Sequence, residues 1–281
     1  MAKTIRDNIL SLFSRDDDDI PPIALDQLRQ EPAAVRVDTP TATGVDLSQR
    51  HRLVMPAGPG RSGRTLLCRW MIERALARGD QPTLATADAA RPALKLYFPD
   101  AIGPGSTERT PAWLETLFSR LMKSPRTLVL DTAADMTLAP ILAQLPTLYE
   151  ALTESGVDPV MLYTLTPRTI DLTVLDAMET LGFKPPATAL VLNIGCTETP
   201  DPEYEFRQLR RHPIYKAAMD RGAIEVWMPR LFAAKAIEAR TMALHRAADP
   251  AGGLDIFDRT RTYQWLAEME RSFAGVLSWM P

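Results

Sequence analysis

A chain of 281 residues with 46% hydrophobic and 24% charged residues has an ordinary globular composition, sufficient for one large α/β domain or two small ones. Its formal charge of −3 at pH 7 excludes a global basic field that would attract nucleic acid or anionic lipid. The two cysteines have no metal-site or redox spacing, and the sequence predicts neither a signal peptide nor an apolar run of about 18 residues. We therefore expect a reduced, cytoplasmic protein without membrane insertion.

The first fifty residues differ in composition from the rest. They hold 6 Lys and Arg against 9 Asp and Glu, including the run 16–19. Because they carry too little apolar surface to offset their ordering entropy, we expect residues 1–50 to form an acidic, flexible tail. Within it, residues 4–14 predict a short amphipathic helix, which either docks on a protein partner or folds back on its own domain.

From residue 51 onward, short apolar runs alternate with helical patterns. The predicted strands are 52–57, 82–88, 127–131, 160–165, 189–194 and 224–228. The predicted helices are 65–79, 111–123, 138–154, 169–182, 203–221 and 232–247. Nearly continuous apolar runs are typical of strands covered on both faces. Residues 51–248 therefore predict a three-layer α/β/α domain with a doubly wound, mostly parallel sheet.

The last segment, 249–281, predicts a C-terminal helix. One apolar stripe runs along it, formed by Trp265, Leu266, Met269, Phe273 and Val276. Its polar face lacks the excess of Lys and Arg that a membrane-surface helix carries. We expect it to pack on the domain or on a second subunit.

A glycine-rich segment follows the first predicted strand. From Gly58 to Thr65 it fits the phosphate-loop pattern G-x-x-x-x-G-K-[ST] at every fixed position except the lysine, which here is Arg64. Glycines let backbone N–H groups approach phosphate oxygens, and the N-terminus of the following helix favours the anion. The residues predicted to bind nucleotide here are Gly58, Gly60, Arg61, Ser62, Gly63, Arg64, Thr65 and Leu66.

Polar residues also end three of the later predicted strands. Asp131 ends an apolar run in the manner of a Walker B strand, and we expect it to hold Mg²⁺ together with Thr65. Asp88 is expected to orient the attacking water and is, with Arg64, the catalytic candidate. Asn193 offers an amide that can pair with a purine edge. Each of these three strand-end residues has an alternative role in capping or forming a turn.

The loop, Asp88, Asp131, Asn193 and Pro229 together resemble, in this order, the ParA/MinD class of P-loop ATPases (the SIMIBI group), and most nearly its divergent StbB-type plasmid-stability branch. The resemblance covers about residues 51–235. It implies a cytoplasmic ATPase that forms a homodimer around ATP·Mg²⁺ and positions plasmid DNA or a large assembly. It also implies that Asn193 and Pro229 hold the adenine.

The loop departs from the family pattern G-K-G-G-x-G-K-T. Pro59 replaces the first lysine, Arg61 stands two residues beyond it, and Arg64 replaces the second lysine. Arginine keeps the charge but has a wider, planar head that does not place phosphate as lysine does. We therefore expect weak or slow hydrolysis of ATP, if any. General avoidance of lysine, with 6 lysines against 26 arginines in the chain, would also produce such changes.

Other protein classes fit less well. Gly58, Gly60 and Gly63 match the dinucleotide fingerprint G-x-G-x-x-G, but that interpretation leaves Thr65 and Asp131 without a role. The three histidines lie near no nucleophile motif, which excludes a recognisable hydrolase triad.

The main alternative is a non-catalytic scaffold that keeps the ATPase fold. It would act through the helix 4–14 and through the basic cluster 206–212, which could also contact the DNA backbone.

Overall fold

The computed structural model describes residues 45–89, 92–105, 109–132, 141, 143 and 145–281, all of them within one compact unit. The predicted helix 4–14 and part of the predicted helix 138–154 lie outside the described residues.

Six strands form one sheet. They are β1 (His51–Ala57), β2 (Thr83–Thr86), β3 (Leu128–Asp131), β4 (Val157–Leu165), β5 (Ala187–Asn193) and β6 (Ile224–Met228). Their order across the sheet is β2-β3-β1-β4-β5-β6, and every neighbouring pair is parallel. The predicted parallel α/β fold is confirmed. Because the strand order reverses beside β1, the carboxyl end of β1 lies at the crevice where such sheets bind ligands.

Helices connect the strands throughout. Those in the described part of the chain are α1 (Arg64–Ala77), α2 (Thr110–Lys123), α3 (Leu148–Glu154), α4 (Thr173–Thr180), α5 (Pro202–Arg211), α6 (Pro213–Asp220), α7 (Ala234–Glu238), α8 (Leu244–Ala248) and α9 (Ile256–Ser272). Short 3₁₀ turns occupy Ala93–Leu96, Thr169–Leu172, Ile194–Cys196, Pro250–Gly252 and Ala274–Trp279. None of these helices is both long and apolar enough to cross a membrane.

Two predicted helices are wrong in extent, because each is a pair of shorter helices. The segment 203–221 breaks at His212, whose φ of −65° and ψ of 138° are extended. The ring of Pro213 disfavours the helical conformation in the residue before it. The segment 232–247 divides into α7 and α8 around Thr241, which has a φ of 47°.

Both faces of the sheet are covered. On one face, Val54 of β1 and Val160 of β4 belong to a buried core that includes side chains of α1 and α9. On the other face, Phe206 of α5 packs edge-on against Trp227 of β6, with ring centroids 5.5 Å apart. Burial on both faces explains why the strand sequences are continuous apolar runs rather than alternating ones.

Helix α9 packs mainly against α8, and its C-terminal end reaches α1. The ring of Phe273, which follows α9, lies 4.8 Å from the ring of Trp70. Arg74 of α1 pairs with Glu270 of α9 at 2.8 Å. The indole N–H of Trp265 donates to the backbone carbonyl that follows β6, at 2.9 Å. The C-terminal segment thus covers the helix that follows the glycine-rich loop.

The residues just before β1 also pack on the domain. Leu47 is 7% exposed and belongs to the main core. The indole N–H of Trp279 donates to the carbonyl of Val45 at 3.0 Å, and Arg50 pairs with Asp158 of β4 at 2.7 Å. The folded unit therefore includes Val45 and the residues after it, inside the range predicted as tail.

Candidate functional site

The loop between β1 and α1 has an unusual backbone. Three of its residues have positive φ: Gly58 at 149°, Arg61 at 67° and Gly63 at 97°. A Cβ at Gly63 would stand 2.4 Å from Nδ2 of Asn193, and a Cβ at Gly58 would stand 2.4 Å from the carbonyl oxygen of Thr164. Both glycines are required by conformation and by space. The positive φ of Arg61, rare for a residue with a side chain, marks the exposed apex of the loop.

Buried hydrogen bonds connect this loop to the ends of the neighbouring strands. Ser62 is fully buried, with its Oγ 2.6 Å from Oγ1 of Thr164, which in turn donates to the carbonyl of Ala57 at 3.1 Å. Nδ2 of Asn193 donates to the carbonyl of Ser62 at 2.8 Å, while its Oδ1 accepts the N–H of Gly195 at 2.8 Å. The loop is thereby fixed to β4 and β5. These two bonds use one N–H and one lone pair of the Asn193 carboxamide.

A half-buried cation and a buried carboxylate lie beside the loop, close enough to interact electrostatically. Nη1 of Arg64 donates to the carbonyl of Gly58 at 3.2 Å, but its Nε is buried with no hydrogen-bond partner among the described residues. Asp131, at the end of β3, is 3% exposed, and its Oδ1 likewise has no partner in that part of the chain. Burial raises the pKa of Asp131 to about 6; the charge of Arg64 opposes this increase and that of Asp88 adds to it.

Asp88 lies at the same edge of the sheet. It follows β2, and its backbone N–H donates to Oγ1 of Thr86 at 3.3 Å. Thr86 pairs in register with Asp131, so the two aspartates follow neighbouring strands. The structure therefore brings both predicted acids to the loop edge, although the strand predicted to end at Asp88 ends two residues earlier.

A cleft of about 420 Å³ opens beside the loop. The predicted site residues that line it are Arg61, Gly63, Arg64, Thr65, Leu66, Asn193 and Pro229. The predicted residues outside its lining are Gly58, Gly60, Ser62, Asp88 and Asp131. The first three of these belong to the loop itself, whereas Asp131 ends β3 and Asp88 follows the end of β2 by two residues.

Sequence reasoning missed several residues that build this site. Thr164 lies within an apolar predicted strand, and the threonine in this run was the available signal for a buried hydrogen bond. Thr132 donates through Oγ1 to the carbonyl of Pro56 at 2.7 Å, fixing the end of β3 to β1. The lining residues that the sequence did not predict are Pro59, Gly195, Cys196, Arg230, Leu231, Ala234 and Glu238.

The available oxygens suit a small, hard cation. Mg²⁺ is usually held by one or two protein oxygens together with substrate phosphates. The carboxylate of Asp131 and the hydroxyl of Thr65 are donors of that type. The described residues contain no group of three or more His, Cys, Asp or Glu side chains that could hold a metal without such help.

The basic cluster 206–212 is not a uniform basic surface. Arg210 pairs with Glu225 at 3.0 Å, and the guanidinium of Arg207 stacks over the ring of Tyr204 at 4.6 Å. The groove around these residues also contains other acids, namely Asp201, Glu203 and Asp220. Its charge is therefore mixed, and both of these arginines are engaged within the protein.

No protein-family model matches the chain, and no curated protein matches it either. Among solved structures, the chain is similar to the cell division protein FtsY of Thermotoga maritima, with 14% sequence identity and a TM-score of 0.39. The similarity covers 65% of this chain and 63% of that protein, which is less than two thirds of its length.

Proposed function

We propose that this protein binds a nucleoside triphosphate with Mg²⁺ at the loop between β1 and α1. The observation that carries the proposal is the pair of unsatisfied buried atoms at this loop, Nε of Arg64 and Oδ1 of Asp131, which lack partners among the described residues. Buried polar atoms in folded proteins are normally hydrogen-bonded or bound to an ion. A bound phosphate would accept a hydrogen bond from Nε of Arg64, and a bound metal ion would contact Oδ1 of Asp131.

The roles of the residues follow from their positions. The loop amides and the N-terminus of α1 bind phosphate oxygens, and Arg64 moves from its own loop carbonyl to the phosphates. Thr65 and Asp131 hold Mg²⁺, which supplies neutralisation of phosphate charge when it is bound. Asp88 orients the attacking water. Phosphoryl transfer needs positioning and electrostatic stabilisation more than covalent help from the protein.

We further propose that the nucleotide is ATP and that hydrolysis is slow. The guanidinium of Arg64 is wide and already engaged by the carbonyl of Gly58, so moving it to a phosphate costs a hydrogen bond. The raised pKa of Asp131 makes metal binding compete with protonation at mildly acidic pH. The first feature favours slow turnover at any pH, and the second favours it only near or below about pH 6.

The cellular role proposed here rests on the sequence resemblance to the ParA/MinD class. It is a positioning or assembly factor that forms a homodimer, contacts a protein partner through residues 4–14 and acts on plasmid DNA indirectly or on a large assembly. The mixed charge around residues 206–212 gives little support to direct DNA contact by that cluster.

A non-catalytic scaffold is the second candidate function. It is favoured by the contact between Arg64 and the carbonyl of Gly58, through which the loop partly satisfies its own cation. In a scaffold, partner binding and dimerisation are independent of nucleotide. In an ATPase switch, both depend on it.

The test is an equilibrium titration of a fluorescent ATP analogue with Mg²⁺ into the intact chain, Arg64→Ala and Arg271→Ala. Arg271 is an exposed arginine of α9 and serves as the matched control. We expect micromolar binding by the intact chain and by the control, and a loss of more than about 2 kcal/mol, roughly thirtyfold, in Arg64→Ala.

If the intact chain does not bind at millimolar nucleotide, the nucleotide proposal fails and the scaffold remains. A parallel titration with a guanine analogue decides the base. Phosphate release and sedimentation with and without Mg·ATP then decide between a slow ATPase switch and a nucleotide-bound scaffold.

A further inference from the structure

Beyond the phosphate loop, the cleft is lined by two segments that follow the neighbouring strands β5 and β6. Gly195 and Cys196 come from the turn after β5, whereas Pro229 and Leu231 come from the segment after β6. Since β5 and β6 are parallel neighbours, the two segments leave the same edge of the sheet. Together they form the side of the cleft that remains for the sugar and base when phosphates occupy the loop.

Arg230 connects these two segments. Its Nη2 donates to the backbone carbonyl of Thr197 and lies 3.3 Å from the carbonyl oxygen of Ile194 and 3.2 Å from Oγ1 of Thr197. Oγ1 of Thr197 itself donates to the carbonyl of Ile194 at 2.8 Å, and Thr197 is 5% exposed. Hydrogen bonds from a charged donor are stronger than neutral ones, so the guanidinium fixes the turn after β5 to the exit of β6.

Glu205 of α5 holds the next part of the same turn. Its carboxylate accepts the backbone N–H of Glu198 at 2.8 Å and also the N–H of Thr199. The hydrogen bonds from Thr199 lower the pKa of Glu205, and the positive charge of Arg230 lowers it further. The turn over residues 194–199 is therefore held by a cation at one end and by an anion at the other.

We infer that Arg230 is a positioning residue that builds the nucleoside side of the cleft, which is an inference that rests on the proposed nucleotide function. An arginine in such a cleft is a natural candidate for a phosphate ligand. The contacts of Arg230 with three protein oxygens, all made by its Nη2, support the other role, because they order the wall of the cleft. Phosphate affinity belongs to the loop, whose own hydrogen bonds to Thr164 and Asn193 do not involve Arg230.

The test compares two ligands that share a triphosphate but not a nucleoside. Mg·ATP and Mg·tripolyphosphate are titrated calorimetrically into the intact full-length chain, Arg230→Met and the exposed control Arg271→Met. We expect Arg230→Met to lower the affinity for Mg·ATP by about tenfold or more, and to leave that for Mg·tripolyphosphate within about twofold. Arg271→Met leaves both affinities unchanged.

Milder variants keep the test decisive if Arg230→Met does not fold. Thr197→Val removes one acceptor of Arg230 and the hydrogen bond that Oγ1 donates to Ile194, with little change in shape, and Glu205→Gln weakens the second anchor. Both are expected to show the same selective loss for Mg·ATP, smaller than that of Arg230→Met. Arg230→Lys retains a cationic donor and restores part of the affinity.

Each remaining result has a distinct meaning. Equal loss of both ligands, or no loss of either, overturns the role of Arg230 while the nucleotide site stands. Binding of Mg·tripolyphosphate but not of Mg·ATP by the intact chain overturns the nucleoside wall and limits the site to phosphate. If the intact chain binds neither ligand, the proposed function fails, and this inference fails with it.

Discussion

At the scale of single residues, Asp131 is a buried carboxylate whose charge is costly in the folded protein. A carboxylate that is 3% exposed loses most of its hydration. Its neighbour Arg64 compensates for part of that loss, yet burial still raises the pKa of Asp131 to about 6. A group that is unfavourable in the folded protein alone and favourable once a cation binds is typical of ligand sites.

This cost predicts that Asp131→Asn stabilises the protein in buffer free of Mg²⁺ and nucleotide. Between the unfolded value of 3.8 and a folded pKa of about 6, the folded state retains a proton that the unfolded state has lost. The stability of the natural chain therefore falls as pH rises through this window. At about pH 8 we expect the variant to have a free energy of unfolding roughly 2 kcal/mol higher, and at about pH 4 the difference disappears. Urea unfolding at several pH values measures this.

The exposed Asp100 provides the control, because Asp100→Asn should leave stability nearly constant at every pH. In saturating Mg·ATP we expect the order to reverse if Asp131 binds the metal as proposed, since Asp131→Asn lacks that carboxylate. If Asp131→Asn is no more stable than the natural chain at about pH 8, the buried-charge account is contradicted.

At the scale of elements, α9 packs mainly on α8 and β6, and its C-terminal end reaches α1, the helix that begins at the glycine-rich loop. Phe273, the residue that follows α9, is fully buried against Trp70. The opposite face of α9 is exposed; Tyr263, for example, is 67% exposed. The ion pair between Arg74 and Glu270 lies at the edge of this contact and adds little, since partly exposed pairs contribute about 1 kcal/mol or less.

The packing predicts a large difference between two aromatic truncations in the same segment. Phe273→Ala should lower the free energy of unfolding by about 3–5 kcal/mol, because it removes a buried ring and leaves a cavity. Tyr263→Ala should change it by about 0.5 kcal/mol or less. Guanidinium unfolding of both variants is the measurement, and similar effects at the two positions would show that α9 is not anchored through Phe273.

Element boundaries were predictable where a local residue sets them. The break at His212 follows from Pro213. The sequence contains this signal, but the helical periodicity of the apolar residues led to the prediction of one continuous helix. The break around Thr241 had no such signal. Its positive φ depends on how α7 and α8 each pack on the core, which is a property of the tertiary structure.

At the scale of the whole molecule, the folded unit begins earlier in the chain than the amino-acid composition predicts. Charge and proline content predict a tail up to residue 50, but Leu47 is buried in the main core. One apolar side chain in a polar stretch has no periodic pattern to mark it. The burial of Leu47 depends on the position of the C-terminal segment, where the indole N–H of Trp279 donates to the carbonyl of Val45.

We therefore predict that Leu47→Ala destabilises the full-length chain by about 2 kcal/mol, at the lower end of values for buried leucines. Leu76 of α1 is 48% exposed and provides the matched control, with an expected change of about 0.5 kcal/mol or less. Thermal or urea unfolding compares the two. Equal, small effects would place the beginning of the stable unit after Leu47.

The fold class could be predicted from the amino-acid sequence alone. Continuous apolar runs require burial on both faces, which selects a parallel sheet between helix layers, and Gly58 and Gly63 permit the positive φ angles of the loop after β1. Tertiary structure alone decided which side chains complete that loop. Ser62 bonds Thr164 across 102 residues of sequence, and Asn193 bonds Ser62 across 131. Such pairs depend on strand order, and no local propensity encodes which strands become neighbours.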